Sequence, residues 1–347
     1  MSQNAEVSVV VPVHNAVPYL RPCLDSLAQQ DVALQVVCVD DGSTDGSEAV
    51  LDEYAAHCSW LEVVHTESCG AGQARNLGVA RATGAFLAFV DADDIVLPGA
   101  YARLLASARR TGSDLVAGAV LRVSAGRTWP SGLHSRAILR AESRTHISRT
   151  PSLLYDATVW NKIYRRAWWD HSHLRFPENS TYEDIVPALS AHILAGAVDV
   201  LTDPVYLWRL REDGVASRSN QRGRLLALDD RIAALDAVDR LLAERGLEEL
   251  RMHLQVRLLT MDLPLFLDAL PKADPAFRRL FADVVAERLS AADPRALECI
   301  RRWERMVYEL VVRHYWVPAT LTYRGRDAAR AVGGPAWRLL RRRAARR

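Results

Sequence analysis

Lysine is nearly missing from this chain: Lys162 and Lys272 stand against 42 arginines. A GC-rich genome would produce such a bias, but it makes each lysine an uncommon choice. Cysteine is sparse too. Cys23, Cys38, Cys58, Cys69 and Cys299 are odd in number and widely spaced, with no Cys-x-x-Cys pair. That pattern argues against a disulfide framework and structural zinc, and fits reduced thiols in a cytoplasmic protein. Long apolar runs are absent: residues 7–13 and 85–90 fall far short of the ~20 residues a membrane-spanning helix needs. Glu6 and Pro12 interrupt any apolar core near the N-terminus, so no secretory leader is expected, and Asn179-Ser-Thr181 reads as a chance sequon. A charge excess is lacking overall, at +2. Nine arginines against Asp327 nevertheless give residues 324–347 a charge of +8, which leaves −6 for the rest.

Apolar residues make up 49% and charged residues 25% of the chain, an ordinary globular balance. A length of 347 residues suggests two domains, or one large domain with an extension, and a core that needs neither disulfide nor metal. The first third alternates two kinds of stretch. Residues 7–11, 34–39, 61–65 and 85–90 are short apolar runs, as expected of strands buried on both faces. Residues 19–30, 71–82 and a segment through Val50, Leu51 and Tyr54 have helical spacing, and Pro98 suits the first turn of another helix. This β-α order predicts a mostly parallel sheet covered by helices, with ligands beyond the carboxyl ends of its strands. Residues 113–219 are less regular and hold five of the nine tryptophans; residues 222–323 read as helical.

Those strand ends carry the unusual residues: Pro12-Val-His-Asn15, Asp40-Asp-Gly-Ser-Thr-Asp45 and Asp91-Ala-Asp-Asp94. Clustered carboxylates repel, and a cation or a polyhydroxyl ligand would explain them. In an extended chain Asp91 and Asp93 point to one side, so one can meet a divalent ion and the other a ribose. Oxygen ligands favour Mg²⁺ or Mn²⁺ over zinc. A solvated acidic turn is the competing reading. The Asp40–Asp45 stretch equally suits a strand, a turn and a helix capped by Ser43 or Thr44. Gly70-Ala-Gly-Gln-Ala-Arg-Asn-Leu-Gly78 begins like a dinucleotide loop but lacks the third glycine and does not follow the first strand. A helix with Arg75 and Asn76 on its polar side fits better.

Together VSVVVPVHN, VCVDDGSTDGS, GAGQARNLGVARATG and FLAFVDADD resemble the family 2 glycosyltransferases of the GT-A fold, over roughly residues 6–220. The resemblance implies an α/β domain at 1–221, a Rossmann-like sheet flanked by helices, before a helical region at 222–323 and the basic tail at 324–347. It implies a nucleotide-diphospho-sugar donor, usually a UDP-sugar. By position Pro12, Asp41 and Arg75 would hold the uridine, Asp91 the ribose, and Asp93 the metal on the diphosphate. His14 stands where the family commonly has Tyr. The general base would be Asp184 of Tyr182-Glu-Asp-Ile185, with Glu183 as the alternate. Pro187 is tolerated only in a helix's first turn, so a helix should begin near Glu183 or Asp184. Asp184 as a simple N-cap competes, and both roles can coexist. Trp160-Asn-Lys-Ile-Tyr-Arg-Arg166 resembles a segment near the acceptor site, which makes Trp160 and Lys162 acceptor candidates; a structural turn competes. Tyr206-Leu-Trp-Arg-Leu-Arg211, with Gly214 and Ser217, resembles an element whose Arg and Ser close over the diphosphate. Arg211 and Ser217 are its donor-side candidates.

The implied reaction is a single in-line displacement at the anomeric carbon, with inversion. The YED and WNK-like segments resemble enzymes that glycosylate wall teichoic acid or related surface polymers, so the acceptor is a glycan or phosphate-bearing polymer. A secondary metabolite or lipid-linked acceptor is the alternative. A non-catalytic nucleotide-sugar scaffold competes, but every motif carboxylate is present. A nucleotidyltransferase would carry a Gly-rich loop with Arg or Lys after the first strand, where this chain has Pro-Val-His-Asn-Ala. No nucleic-acid fold accompanies the tail, so no nucleic-acid partner is expected. Its charge suits anionic lipid head groups at the inner face of the plasma membrane, or a phosphate-bearing polymer. The leucine stripes of the helical region suit core packing, acceptor support or a homo-oligomer.

Overall fold

The run Val-Ser-Val-Val-Val-Pro-Val forms β1 (Val7–Val13), buried because parallel strands flank it on both sides. The computed structural model describes residues 5–178, 180–211 and 225–333, with side chains of the last stretch described to residue 325. After β1 the chain follows the expected alternation: α1 (Val17–Ala28), β2 (Leu34–Asp41), α2 (Ser47–His57), β3 (Leu61–Thr66), α3 (Ala71–Arg81) and β4 (Phe86–Phe89). Next come β5 (Ile95–Val96), α4 (Ala100–Thr111), β6 (Leu115–Ser124), β7 (Arg127–Pro130), α5 (His134–Ala137), β8 (Glu142–Thr145) and a 3₁₀ turn at Pro151–Tyr155. The α/β part closes with β9 (Lys162–Arg165), α6 (Arg166–His171), α7 (Ile185–Leu194) and β10 (Val198–Arg209).

The strand order is β3-β2-β1-β4-β9-β6-β10-β5, with β7 on β6 and β8 on β10. The expected parallel pairing holds from β3 to β4 and again between β6 and β10. The rest is antiparallel, so the central sheet is mixed. The reason lies in the connections. Parallel neighbours need a long crossover, whereas β6 reverses into β7 through Ala125 and Gly126, both at positive φ, as a tight hairpin allows.

Local capping also departs from expectation. The helix after β2 begins at Ser47, and Asp45 rather than Ser43 or Thr44 serves its start, accepting from the Ser47 amide and hydroxyl. The other Asp45 oxygen accepts from the Val17 amide at 3.0 Å, so one carboxylate anchors the first turns of both α1 and α2. Pro98 precedes its helix, which starts at Ala100.

By internal contacts the chain divides into Met1–Arg218 with Ala233–Leu250, and Ser219–Ile232 with Arg251–Arg347. The division falls within α8 (Leu225–Glu244); the boundary expected at residue 222 lies outside the described residues. The helices that follow are α9 (Glu248–Arg257), α10 (Pro264–Leu267), α11 (Pro275–Ala291), α12 (Pro294–Cys299), α13 (Arg302–Val312) and α14 (Trp316–Gly333). The second unit buries Phe266, Phe277 and Phe281 together. Its π-helical turn Leu258–Asp262 aims Asp262 at the guanidinium groups of Arg257 and Arg231. Helix α14 runs through Arg324, where the tail was expected to begin; residues 334–347 lie outside the described residues. Among the described residues no helix is long and apolar enough to cross a membrane.

Candidate active site

The loops at the carboxyl ends of β1, β2 and β4 meet along one sheet edge, as the parallel register requires. In the first two, side chains lock loop to loop. Asn15, at φ 50°, donates its amide to Ser43 and accepts from the Thr44 amide, while His14 Nδ1 lies 2.7 Å from the Asp41 carbonyl. Pro12 is half-buried within β1, opposite Val39 of β2. Asp41, expected at the uridine, is buried, and its carboxylate accepts from the amides of Cys69 and Gly70. It therefore holds the start of α3.

Helix α3 organises the centre. Gly72 lets it approach the segment before α7: a Cβ there would sit 2.3 Å from the Pro177 carbonyl oxygen and 3.4 Å from Glu183 Cβ. Asn76 clamps the same segment at both ends of its amide, donating to the Phe176 carbonyl at 2.9 Å and accepting from the Phe176 amide at 3.0 Å. Between them Arg75 is 3% exposed. Its guanidinium donates to Asp91 at 2.7 Å and to Glu183 at 2.7 Å, and lies 3.2 Å from Asp184. Its charged nitrogens thus engage three carboxylates. Burial alone would lower its pKa, but Asp184, Asp91 and Glu183 raise it, so it stays charged.

Asp184 occupies the N-cap position of α7, and Pro187 falls in that helix's first turn, as expected. Its side chain makes no capping bond; it turns to Arg75 instead. Burial pushes the Asp184 carboxyl up to about 7, against the pull of Arg75 and with added repulsion from Glu183 and Asp91.

Carboxylate oxygens of Asp91, Asp93 and Asp94 lie within 4.8 Å of one another. Burial raises Asp91, with Arg75 opposing and Asp93 adding to the shift; burial, Asp93 and Asp91 together raise Asp94 further. The three are not equivalent. Asp94 is 1% exposed, and its two oxygens accept from the Arg209 amide at 2.7 Å and the Tyr206 hydroxyl at 2.9 Å. The Tyr206 oxygen in turn accepts from the Asp91 amide at 3.1 Å. Asp94 and Tyr206 thus fasten the acidic loop to β10, a role sequence reading missed although Tyr206 lay in a noted motif. Asp93 is half-buried and pairs with Arg211 at 2.7 Å; Arg209 and Arg211 both lie over the Tyr19 ring. An oxygen-only set with two partly open carboxylates, Asp91 and Asp93, fits a hard divalent cation. Ser217 lies outside the described residues.

Lys162 and Trp160, expected on the acceptor side, are both buried. Lys162 Nζ donates to Asn161 Oδ1 at 2.6 Å and the Thr158 carbonyl at 2.5 Å, and pairs with Asp156 at 2.7 Å. Trp160 stacks on Tyr206 with ring centroids 4.2 Å apart. The Lys162 ammonium is thus matched by three oxygens within the fold. Asp156 and His192, which complete the cluster, gave no sequence signal because they stand alone between apolar residues.

A mixed sheet with acidic loops at its parallel edge is the GT-A arrangement. The crystal structure of S. aureus TarS 1–349 in complex with UDP-GlcNAc shares the fold, with a TM-score of 0.70 at 21% identity over 93% of this chain and 92% of that one. Residues 8–172 match the family described as Glycosyl transferase family 2. Over those residues the chain is similar to family 2 glycosyltransferases. It is 31% identical to the uncharacterized glycosyltransferase EpsJ of Bacillus subtilis, over 58% of this chain and 60% of that protein. It is 26% identical to a poly(ribitol-phosphate) beta-glucosyltransferase of Bacillus spizizenii, over 60% of this chain and 33% of that protein. The matched part is thus under two thirds of the length of these relatives.

Gly72→Ala tests the seating on α3 of the segment that carries Pro177 and Glu183. The added methyl must displace Pro177, and overpacking of this kind costs about 1–3 kcal/mol. Denaturant unfolding should show that loss; unchanged stability would mean the loop is not held there.

Proposed function

We propose that the protein is an inverting glycosyltransferase that moves a sugar from a nucleotide-diphospho-sugar, a UDP-sugar, to a hydroxyl of a phosphate-bearing polymer or glycan. The observation that carries this reading is the shared grip of Arg75 on Asp91, Glu183 and Asp184. It joins the acidic loop proposed for the donor to the carboxylates proposed for proton transfer. The UDP-GlcNAc in the TarS structure supports a UDP-sugar, and the poly(ribitol-phosphate) relative supports a polymer acceptor.

In this reading Asp184 accepts the proton of the attacking hydroxyl, and Glu183 is its alternate. Arg75 orients both. Pro12, Asp41 and Arg75 hold the uridine, and Asp91 meets the ribose. Arg211, now paired with Asp93, supplies forked donors to the diphosphate, with Ser217 beside it in sequence. A Mg²⁺ or Mn²⁺ ion held by Asp93 would neutralise charge on the departing diphosphate. Attack from the face opposite the leaving group inverts the anomeric centre. The tail's charge of +8 suits an anionic lipid surface or polymer.

Asp184→Asn keeps the shape and removes the base, so kcat should fall by roughly 10²–10⁴-fold while the protein stays folded. Full turnover would remove Asp184 from its role. The base works ionised and its carboxyl titrates at about 7, so activity should fall as pH drops below about 7, and the variant should lose that acid limb.

A thermal-shift and turnover screen of nucleotide sugars tests the donor. A UDP-sugar should stabilise the protein and be consumed with Mn²⁺ present, and chelation should abolish turnover. Stabilisation by no UDP compound would refute the donor assignment.

Deleting residues 324–347 should leave transfer to a small soluble acceptor intact and weaken binding to anionic liposomes or to the polymer. Unchanged binding to both would return the tail to mere charge.

A further inference from the structure

Between the two halves of the site lies a fully buried charge cluster that the proposed reaction does not use. Asp156 is 0% exposed. One of its oxygens pairs with Lys162 Nζ at 2.7 Å, accepts from Asn161 Nδ2 at 3.2 Å and lies 3.8 Å from His134 Nε2. The other lies 3.3 Å from His192 Nε2. Burial drives His134 down to about 3 and lowers His192, so both imidazoles are neutral near neutral pH. Burial would raise Asp156, but Lys162 and then His192 outweigh it and hold the carboxylate ionised. Burial lowers Lys162 while Asp156, 2.7 Å away, pulls it back up, so the cluster holds one carboxylate, its paired ammonium and neutral donors.

A buried ion pair is a poor source of stability, because desolvation roughly cancels the attraction and apolar residues of equal volume serve as well. What such a pair supplies is direction. The segment from Asp156 to Lys162 makes two directed contacts of consequence. At one end Asp156 meets His192, on α7 about two helical turns beyond Asp184. At the other Trp160 stacks on Tyr206 at 4.2 Å and 20°. The Tyr206 hydroxyl fixes the acidic loop through Asp94 and the Asp91 amide.

We propose that residues 156–162 are a positioning bracket that holds α7, and with it Glu183 and Asp184, in register with the Asp91–Asp94 loop. Its residues touch no substrate. Lys162 is the counter-ion that fixes Asp156, and Asp156, His192 and Trp160 are positioning residues. This rests on the glycosyltransferase reading above for its kinetic consequence, and on geometry alone for the register.

The test uses the full chain and four variants: His192→Leu, His192→Gln, Trp160→Ala and Trp160→Phe. Losing the His192 contact should lower kcat at least about tenfold with UDP affinity within about twofold, as a small displacement of a base does. His192→Gln, whose amide nitrogen can donate to Asp156, should recover most of that kcat. Trp160→Ala should weaken UDP binding at least about fivefold by loosening the donor loop, and Trp160→Phe, which keeps a stacked ring, should restore it. A merely structural role would lower melting temperature and move kcat and UDP affinity together in both His192→Leu and Trp160→Ala, which would overturn the bracket. A crystal structure of His192→Leu decides the register without reference to activity: Asp184 should leave its 3.2 Å contact with Arg75, and an unmoved Asp184 overturns the proposal. A wild type that transfers no sugar would instead count against the enzymatic reading, while that structure still decides the bracket.

Discussion

One buried guanidinium makes the carboxylate-rich edge of the sheet compatible with folding. Ionised carboxylates repel, and those of Asp91, Asp93 and Asp94, within 4.8 Å of one another, would do so by at least roughly 3 kcal/mol per pair at an effective dielectric near 20. Asp91, Glu183 and Asp184 come from two distant parts of the chain, and Arg75 lies against all three. Without that charge the carboxylates would have to separate, protonate or bind a cation. Arg75 holds its position because Gly72 and Asn76, on the same helix, bring the backbone at Pro177 and Phe176 to within contact distance. The motif Gly-Gln-Ala-Arg-Asn thus reads as one device: glycine for approach, arginine for charge, asparagine for the clamp.

The sheet explains why the partners lie where they do. Its parallel half delivers three loops to one edge by the ordinary rule for such sheets. Its antiparallel half brings β9 beside β4 and runs β10 past β5, and only then can Tyr206 reach Asp94. The placement of the acidic loops depends on the first half, while the bracing of the Asp91–Asp94 loop depends on the second.

This division marks what could be read from sequence. The parallel half was legible, since buried strands and amphipathic helices announce themselves by period, and the acidic loops by composition. Asp93 and Asp184 keep partly open carboxylates. Asp41, Arg75, Lys162 and Trp160 were found as residues, but their burial and their partners within the fold are tertiary facts. A motif shows that a residue type is needed, and only the fold shows whether its polar atoms face a ligand or another side chain. Asp156 and His192 could not be found at all: a lone Asp and a lone His acquire meaning only when the fold brings them to 3.3 Å. The hairpin at Ala125-Gly126 was missed because its turn chemistry is short and lacks the usual Asn-Gly.

The scarcity of lysine can now be given a physical reason at one of its two positions. Lys162 Nζ has three oxygen acceptors, on Asp156, Asn161 and Thr158, at 2.5–2.7 Å. An ammonium has three donors on a single atom, so each is matched and none is left buried without a partner. A guanidinium spreads five donors over a plane, which suits the separated carboxylates around Arg75 but not three oxygens converging on a point. In a chain that uses arginine almost everywhere, the geometry of the acceptors decides the exception. The same comparison separates these two buried cations by what each must hold. Arg75 spans carboxylates that have to stay apart, whereas Lys162 gathers a segment that must not move.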